Sequence, residues 1–147
     1  MTAANFTTTI LVDQSPVEVF NAINDVRGWW QGEINGESGK LHDEFEYRMN
    51  DIHYSKQKVA EIIPNEKVIW LVNDSNLSSF TDKAEWNGTK IIFEISKVDH
   101  ATQIRFTHLG LIPSFECYGN CSWAWGQLIQ ESLFNFITTG KGINVFR

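Results

Sequence analysis

The sequence has few of the residues that build a site or a staple by themselves. Its 147 residues include two cysteines, three prolines and two methionines. The cysteines, Cys117 and Cys121, are too few for a disulfide-rich scaffold, and a cytosolic setting keeps such thiols reduced. No apolar run approaches the ~20 residues that cross a bilayer, so no membrane span is expected. The stretch Met1 to Asn5 lacks the basic and apolar regions of a secretion signal, which makes a cytoplasmic protein the expectation. Basic residues are also scarce, 12 against 18 acidic ones, for a formal net charge of -6. A surface of that sign repels phosphate, and no basic patch offsets it, so nucleic acid is not an expected partner. There is no Gly-rich phosphate loop and no serine nucleophile elbow. Asn87-Gly88-Thr89 matches a glycosylation acceptor but reads better as a turn.

What is present is a globular composition, 42% hydrophobic and 20% charged, in a chain of one-domain length. With no internal repeat, low-complexity tract or linker, residues 1–147 read as a single domain. Six tryptophans raise the aromatic share to 13%. Rings in that number either fill a core or line a pocket.

The chain is organised around one helix, from about Asn120 to Thr139. Cys121, Trp125, Leu128, Ile129, Ser132, Leu133, Phe136 and Ile137 recur at helical spacing and form one stripe, while Gln127, Gln130, Glu131 and Asn135 lie opposite. Asn120 or Ser114 is the expected cap, and Gly140 follows the last turn. Such a stripe needs a broad apolar partner, and the preceding hundred residues supply a sheet. Phe6 to Asp13 alternates as a half-buried strand. Ser15-Pro16 opens a short helix that ends near Asn24-Asp25, and Val26 to Trp30 reads as a second brief helical turn. Glu33 to Gly39 is a loop or weak edge strand. Strands follow around Phe45 to Met49, Lys56 to Ile63 and Lys67 to Val72, and then a polar loop from Asn73 to Ser79. Asn87-Gly88 signals a hairpin between a short strand ending at Trp86 and a long one from Lys90 to Lys97. Thr102 to Leu109 is the last strand. A run of antiparallel strands flanked by helices is an α+β architecture, a curved sheet gripping the terminal helix.

Those elements, with Ser15-Pro16-Val17-Glu18-Val19-Phe20, Trp29-Trp30, the Pro64 to Trp70 hairpin, Thr107-His108-Leu109-Gly110-Leu111 and Trp125 to Leu133, resemble the START-like, or SRPBCC, superfamily. Within it the chain looks most like the family of the activator of the heat-shock protein 90 ATPase. The resemblance covers about Phe6 to Gly140. It implies a helix-grip (START-like, Bet v-like) fold, with a cavity between the bent sheet and the C-terminal helix. Superfamily members use that cavity for lipids, sterols, plant hormones and polyketides, and some are cyclases. The eukaryotic chaperone activator engages its partner through a further N-terminal domain that has no counterpart ahead of Phe6. A chaperone partner therefore stays open but is not supported by the family name alone.

The candidate ligand-binding residues are those reading inward: Phe45, Tyr47 and Met49 on one strand, Trp70 on another, and Phe106 with His108 on the last. They are expected to face Tyr118 and Trp125 on the helix, with Trp29 and Trp30 closing one end. The expected function is to hold a hydrophobic small molecule, a lipid or an aromatic or polyketide-like compound. Tyr47, His108, Glu116 and Tyr118 are possible polar anchors. The alternative is a cyclase or hydrolase in which His108 and Glu116, eight residues apart, form a general acid–base pair. A third reading is a protein-interaction module. No cofactor is expected. His108, Cys117 and Cys121 have the ligand types for zinc, but no fourth ligand is evident and no metal is expected.

Overall fold

The computed structural model describes residues 5–50, 53–78, 80–81 and 83–145. Alternation of apolar and polar residues produces strand β1, Phe6–Val12, in which Ile10 and Val12 are buried. Helix α1, Pro16–Asn24, starts with a full capping box. The Glu18 amide donates to Ser15 Oγ at 3.3 Å and the Ser15 amide to Glu18 Oε2 at 2.9 Å. Pro16 occupies a first-turn position that needs no amide donor. A 3₁₀ turn over Val26–Gly28 then delivers Trp29 and Trp30 inward.

Six further strands follow: β2, Glu33–Gly36; β3, Glu44–Met49; β4, His53–Ile63; β5, Lys67–Asn76; β6, Lys90–Val98; and β7, Ala101–Leu109. They form a seven-stranded antiparallel sheet in the order β1-β7-β6-β5-β4-β3-β2. Two register shifts in the β4–β5 ladder, at Lys56/Gln57 and Val59/Glu61, bend the sheet, because an extra residue on one strand kinks it and adds twist.

The C-terminal helix lies in the concave face as α2, Tyr118–Gln127, a π-helical segment Leu128–Leu133, and α3, Phe134–Thr139. Gly140 closes it at φ 86°, a left-handed cap that glycine adopts without a Cβ clash. This is the helix-grip, α+β arrangement expected from the sequence.

Four boundaries differ, the first being β4, which begins at His53 and not at Lys56. The helix starts at Tyr118, and neither Ser114 nor Asn120 caps it. The Glu85 carboxylate does so instead, accepting from the amides of Glu116 at 2.7 Å and Cys117 at 3.2 Å. Strand β5 continues past Val72 to Asn76, since β4 keeps pairing with the polar stretch as far as Tyr54↔Asn76. No strand ends at Trp86 among the described residues. Trp86 sits in a series of turns, and Asn87-Gly88 makes its reversal with the Gly88 amide bonded to the Val72 carbonyl at 2.9 Å.

Candidate functional site

The strand period places Phe45 and Tyr47 on the concave face of β3, with Met49 half-buried at the strand's end. On the C-terminal helix, Cys121 and Trp125 of α2 and Leu128 of the π-helical segment project from the side that faces them, at spacings of four and three. Strand β5 pairs with β6 only from Lys67 to Leu71, while β4 carries it on to Asn76. The two strands therefore part, and the connection between them folds over the gap, bringing Leu77, Phe80 and Trp86. The result is an open cavity of about 410 Å³ between sheet, helix and connection.

Four of the residues read from the sequence border this cavity: Trp30, Tyr47, Met49 and Trp125. Five others, Trp29, Phe45, Trp70, Phe106 and His108, are completely buried in the core behind it. Trp29, Trp30 and Trp70 lie nearly parallel, with ring centroids 6.2–6.4 Å apart. Tyr118 is half-buried at the head of α2 and is not among the cavity residues. The sequence reading missed His53, Trp86, Cys121 and Trp123 as wall residues. Cys121 was accessible to it, standing four positions before Trp125 on the same stripe. Trp86 and Phe80 were not, because a turn-rich connection has no periodicity to say where a side chain faces.

The wall is held together ring against ring. Trp30 stacks on Tyr47 at 4.1 Å and leans on Trp125 at 5.0 Å. Trp86 is wedged between two imidazoles, edge-to-face with His53 and with His108, each at 4.7 Å. The Tyr47 hydroxyl donates to the Gln31 carbonyl at 2.5 Å. Burial pushes that phenol above its ordinary pKa, so it stays protonated as the bond requires.

His108 has a fixed tautomer. Trp125 Nε1–H donates to its Nδ1 at 3.0 Å, so Nδ1 carries no proton and Nε2 does. Nε2–H then donates to Thr89 Oγ1 at 2.8 Å, and that hydroxyl donates to the Trp86 carbonyl at 2.6 Å. Burial, helped by His53 nearby, lowers the His108 pKa to about 3. Burial likewise lowers His53 to about 4, and its Nε2 lies 3.2 Å from Ser55 Oγ.

These bonds correct the proposed acid–base pair. Both ring nitrogens of His108 are engaged by Thr89 and Trp125, which leaves none for Glu116. The Glu116 carboxylate accepts instead from the Thr81 amide, at 2.9 and 3.1 Å. His108 bridges the Thr89 turn and Trp125 of the helix, and the structure does not bring it together with Glu116 as a pair. Cys121 borders the cavity, but its hydrogen bond with Cys117, together with burial, raises its thiol pKa, the reverse of an activated nucleophile. Among the described residues, no three His, Cys, Asp or Glu side chains gather as a metal site. No helix among them is long and apolar enough to cross a membrane.

A bent sheet, a gripped C-terminal helix and an aromatic cavity between them define a helix-grip protein. No model of a known protein family matches the chain, and no curated protein does. Solved structures do. The Aha1 dimer from Colwellia psychrerythraea is 26% identical, with a TM-score of 0.75 over 95% of this chain and 99% of that one. Protein MLL2253 from Mesorhizobium loti is 14% identical, with a TM-score of 0.69 over 93% and 99%. DynU16, from the dynemicin biosynthetic locus, is 13% identical with a TM-score of 0.64; it covers 95% of this chain, which spans 49% of DynU16. The chain has the helix-grip fold of these structures and is similar over nearly its whole length to the Aha1 protein.

Proposed function

We propose that the protein binds a hydrophobic small molecule, lipid, aromatic or polyketide-like, in the cavity between sheet and C-terminal helix. One observation carries this reading. The core beneath is packed solid with fully buried rings, yet about 410 Å³ stays open in front of it, walled by Trp30, Tyr47, Met49 and Trp125. At the same wall Trp123 is left 57% exposed, and a chain that needed that indole only for stability would cover it. An apolar wall with a few polar groups is the make-up of ligand sites.

Titration of isotope-labelled protein with fatty acids, flavonoids and polyketides tests the reading. Amide shifts are expected to gather at Trp30, Tyr47, Met49 and Trp125 and to saturate; a flat response at all four rejects it.

A second reading is a protein-interaction module with a chaperone partner, favoured by the likeness to a protein named Aha1. It predicts that a heat-shock protein 90 chaperone shifts the amides of exposed surface residues while leaving the cavity signals in place.

A further inference from the structure

The cavity rings divide into two kinds. Trp30, Tyr47, Trp86 and Trp125 use their faces on one another and on the core. Trp30 lies between Tyr47 at 4.1 Å and Trp70 at 6.2 Å, both nearly parallel to it. Trp125 is flanked by Trp86, stacked at 5.9 Å, and by Phe106, tilted at 4.6 Å. Trp86 has the two imidazoles against it as well. These four therefore show the cavity mostly ring edges. Phe80 and Trp123 border the same cavity, and among the described residues neither stacks on any other ring. They come from different elements, Phe80 from the β5–β6 connection and Trp123 from α2. Trp123 is 57% exposed, the most exposed large apolar side chain among the described residues.

An indole left that open at the edge of an aromatic cavity has a free π-face and, among the described residues, no ring stacked on it. Aromatic rings prefer offset-stacked or edge-to-face partners, and such pairs add to binding beyond their buried area. An acyl chain gains only the area. Resting on the proposed small-molecule reading, we infer that Trp123, with Phe80, selects a flat aromatic ring system over an acyl chain, and that the ligand's ring is seated at the cavity mouth against the indole.

Two uncharged probes with equal carbon number, 2-naphthol and 1-decanol, isolate shape from charge and size. Each is titrated into wild type, Trp123→Leu and Trp123→Phe. Leucine keeps apolar area but has no π-face, whereas phenylalanine restores one. The expected result is that Trp123→Leu weakens 2-naphthol by about three- to tenfold, the range of an aromatic pair, changes 1-decanol by less than about twofold, and that Trp123→Phe recovers most of the loss. Equal weakening of both probes overturns the inference, because Trp123 is then only a greasy surface. So does tighter binding of 1-decanol than 2-naphthol by wild type; either result leaves the small-molecule reading standing. If Trp123→Leu converts a dimer to a monomer in sedimentation with naphthol affinity unchanged, the indole is an interface residue and the inference fails. Absence of binding of both probes and of the wider ligand panel rejects the small-molecule reading itself.

Discussion

The indole N–H of Trp125 points at Nδ1 of His108 across 3.0 Å, a buried bond that joins the gripped helix to strand β7 of the sheet. It works only while the imidazole is neutral. Protonation would set a second N–H against the indole donor and break the link.

The pH dependence of stability follows from the burial of two imidazoles, His108 and His53. In the unfolded chain a histidine takes up its proton near pH 6.5, whereas in the fold His108 resists until about 3 and His53 until about 4. Between those values the unfolded state binds more protons than the folded one. Stability is thus complete above about pH 6.5 and drains as pH falls, at up to about 1.4 kcal/mol per pH unit for each histidine. Urea unfolding at neutral pH and at about pH 5 measures the slope. In His53→Asn one of the two sinks is removed, and the drop is expected to shrink by about half. The same drop in wild type and variant would show that these histidines are not its source.

The Glu85 cap carries a different test. Two amides at the entry to the C-terminal helix, those of Glu116 and Cys117, are satisfied by one carboxylate from the β5–β6 connection. Glu85→Ala leaves both without that acceptor and is expected to cost about 1–2 kcal/mol, the range for a lost helix cap. Hydrogen exchange reads it locally, since protection should fall at residues 116 and 117 and hold at Phe106 on β7. Unchanged exchange at the helix entry would mean that solvent replaces the carboxylate without loss.

How much of this was legible beforehand depends on what kind of signal a residue sends. Phe45, Trp70 and Phe106 sit in regular alternation, so their inward direction follows from the period of a strand, and it is the direction observed. Direction is not depth, however. Phe45 and Trp70 face inward and are sealed, whereas Tyr47 and Met49 on β3 reach the cavity, because β5 departs from β6 beyond Leu71 and the gap opens at that end of the sheet. That divergence is a tertiary event with no local sequence mark. Trp86 and Phe80 reach the wall from turns, and Trp123 lies off the apolar stripe of its helix, so spacing gave each of them no reason to be there. The Glu85 cap was hidden for the same reason: its partners are 31 and 32 residues away in the chain.

The last case is the serine in the apolar stripe, at a position where periodicity alone calls for a hydrophobe. Ser132 is fully buried in the π-helical segment, and its hydroxyl serves three partners. It donates to the Trp29 carbonyl at 2.7 Å and accepts from Gln31 Nε2 at 2.9 Å and from the Ile143 amide at 3.1 Å. Gln31 in turn accepts the Val145 amide at 3.3 Å through Oε1 and the Tyr47 hydroxyl through its carbonyl. One oxygen therefore ties the Trp29-Trp30 turn, the helix and the returning C-terminal segment together behind the cavity wall. The approach is close enough that a Cβ on Gly142 would collide with the Gly28 carbonyl. Ser132→Ala removes the acceptor and leaves Gln31 Nε2 its bond to the Trp29 carbonyl at 2.9 Å, but it strands the Ile143 amide. The expected cost is about 1 kcal/mol, because a half-buried donor then loses its acceptor. Gln31, which accepts the Val145 amide, is then held by one bond instead of two, so amide protection should fall at Ile143 and, to a smaller extent, at Val145, which borders the cavity. Ser132→Ala with wild-type stability and intact protection at both residues would show that the C-terminal segment is held by its side chains and not through this hydroxyl.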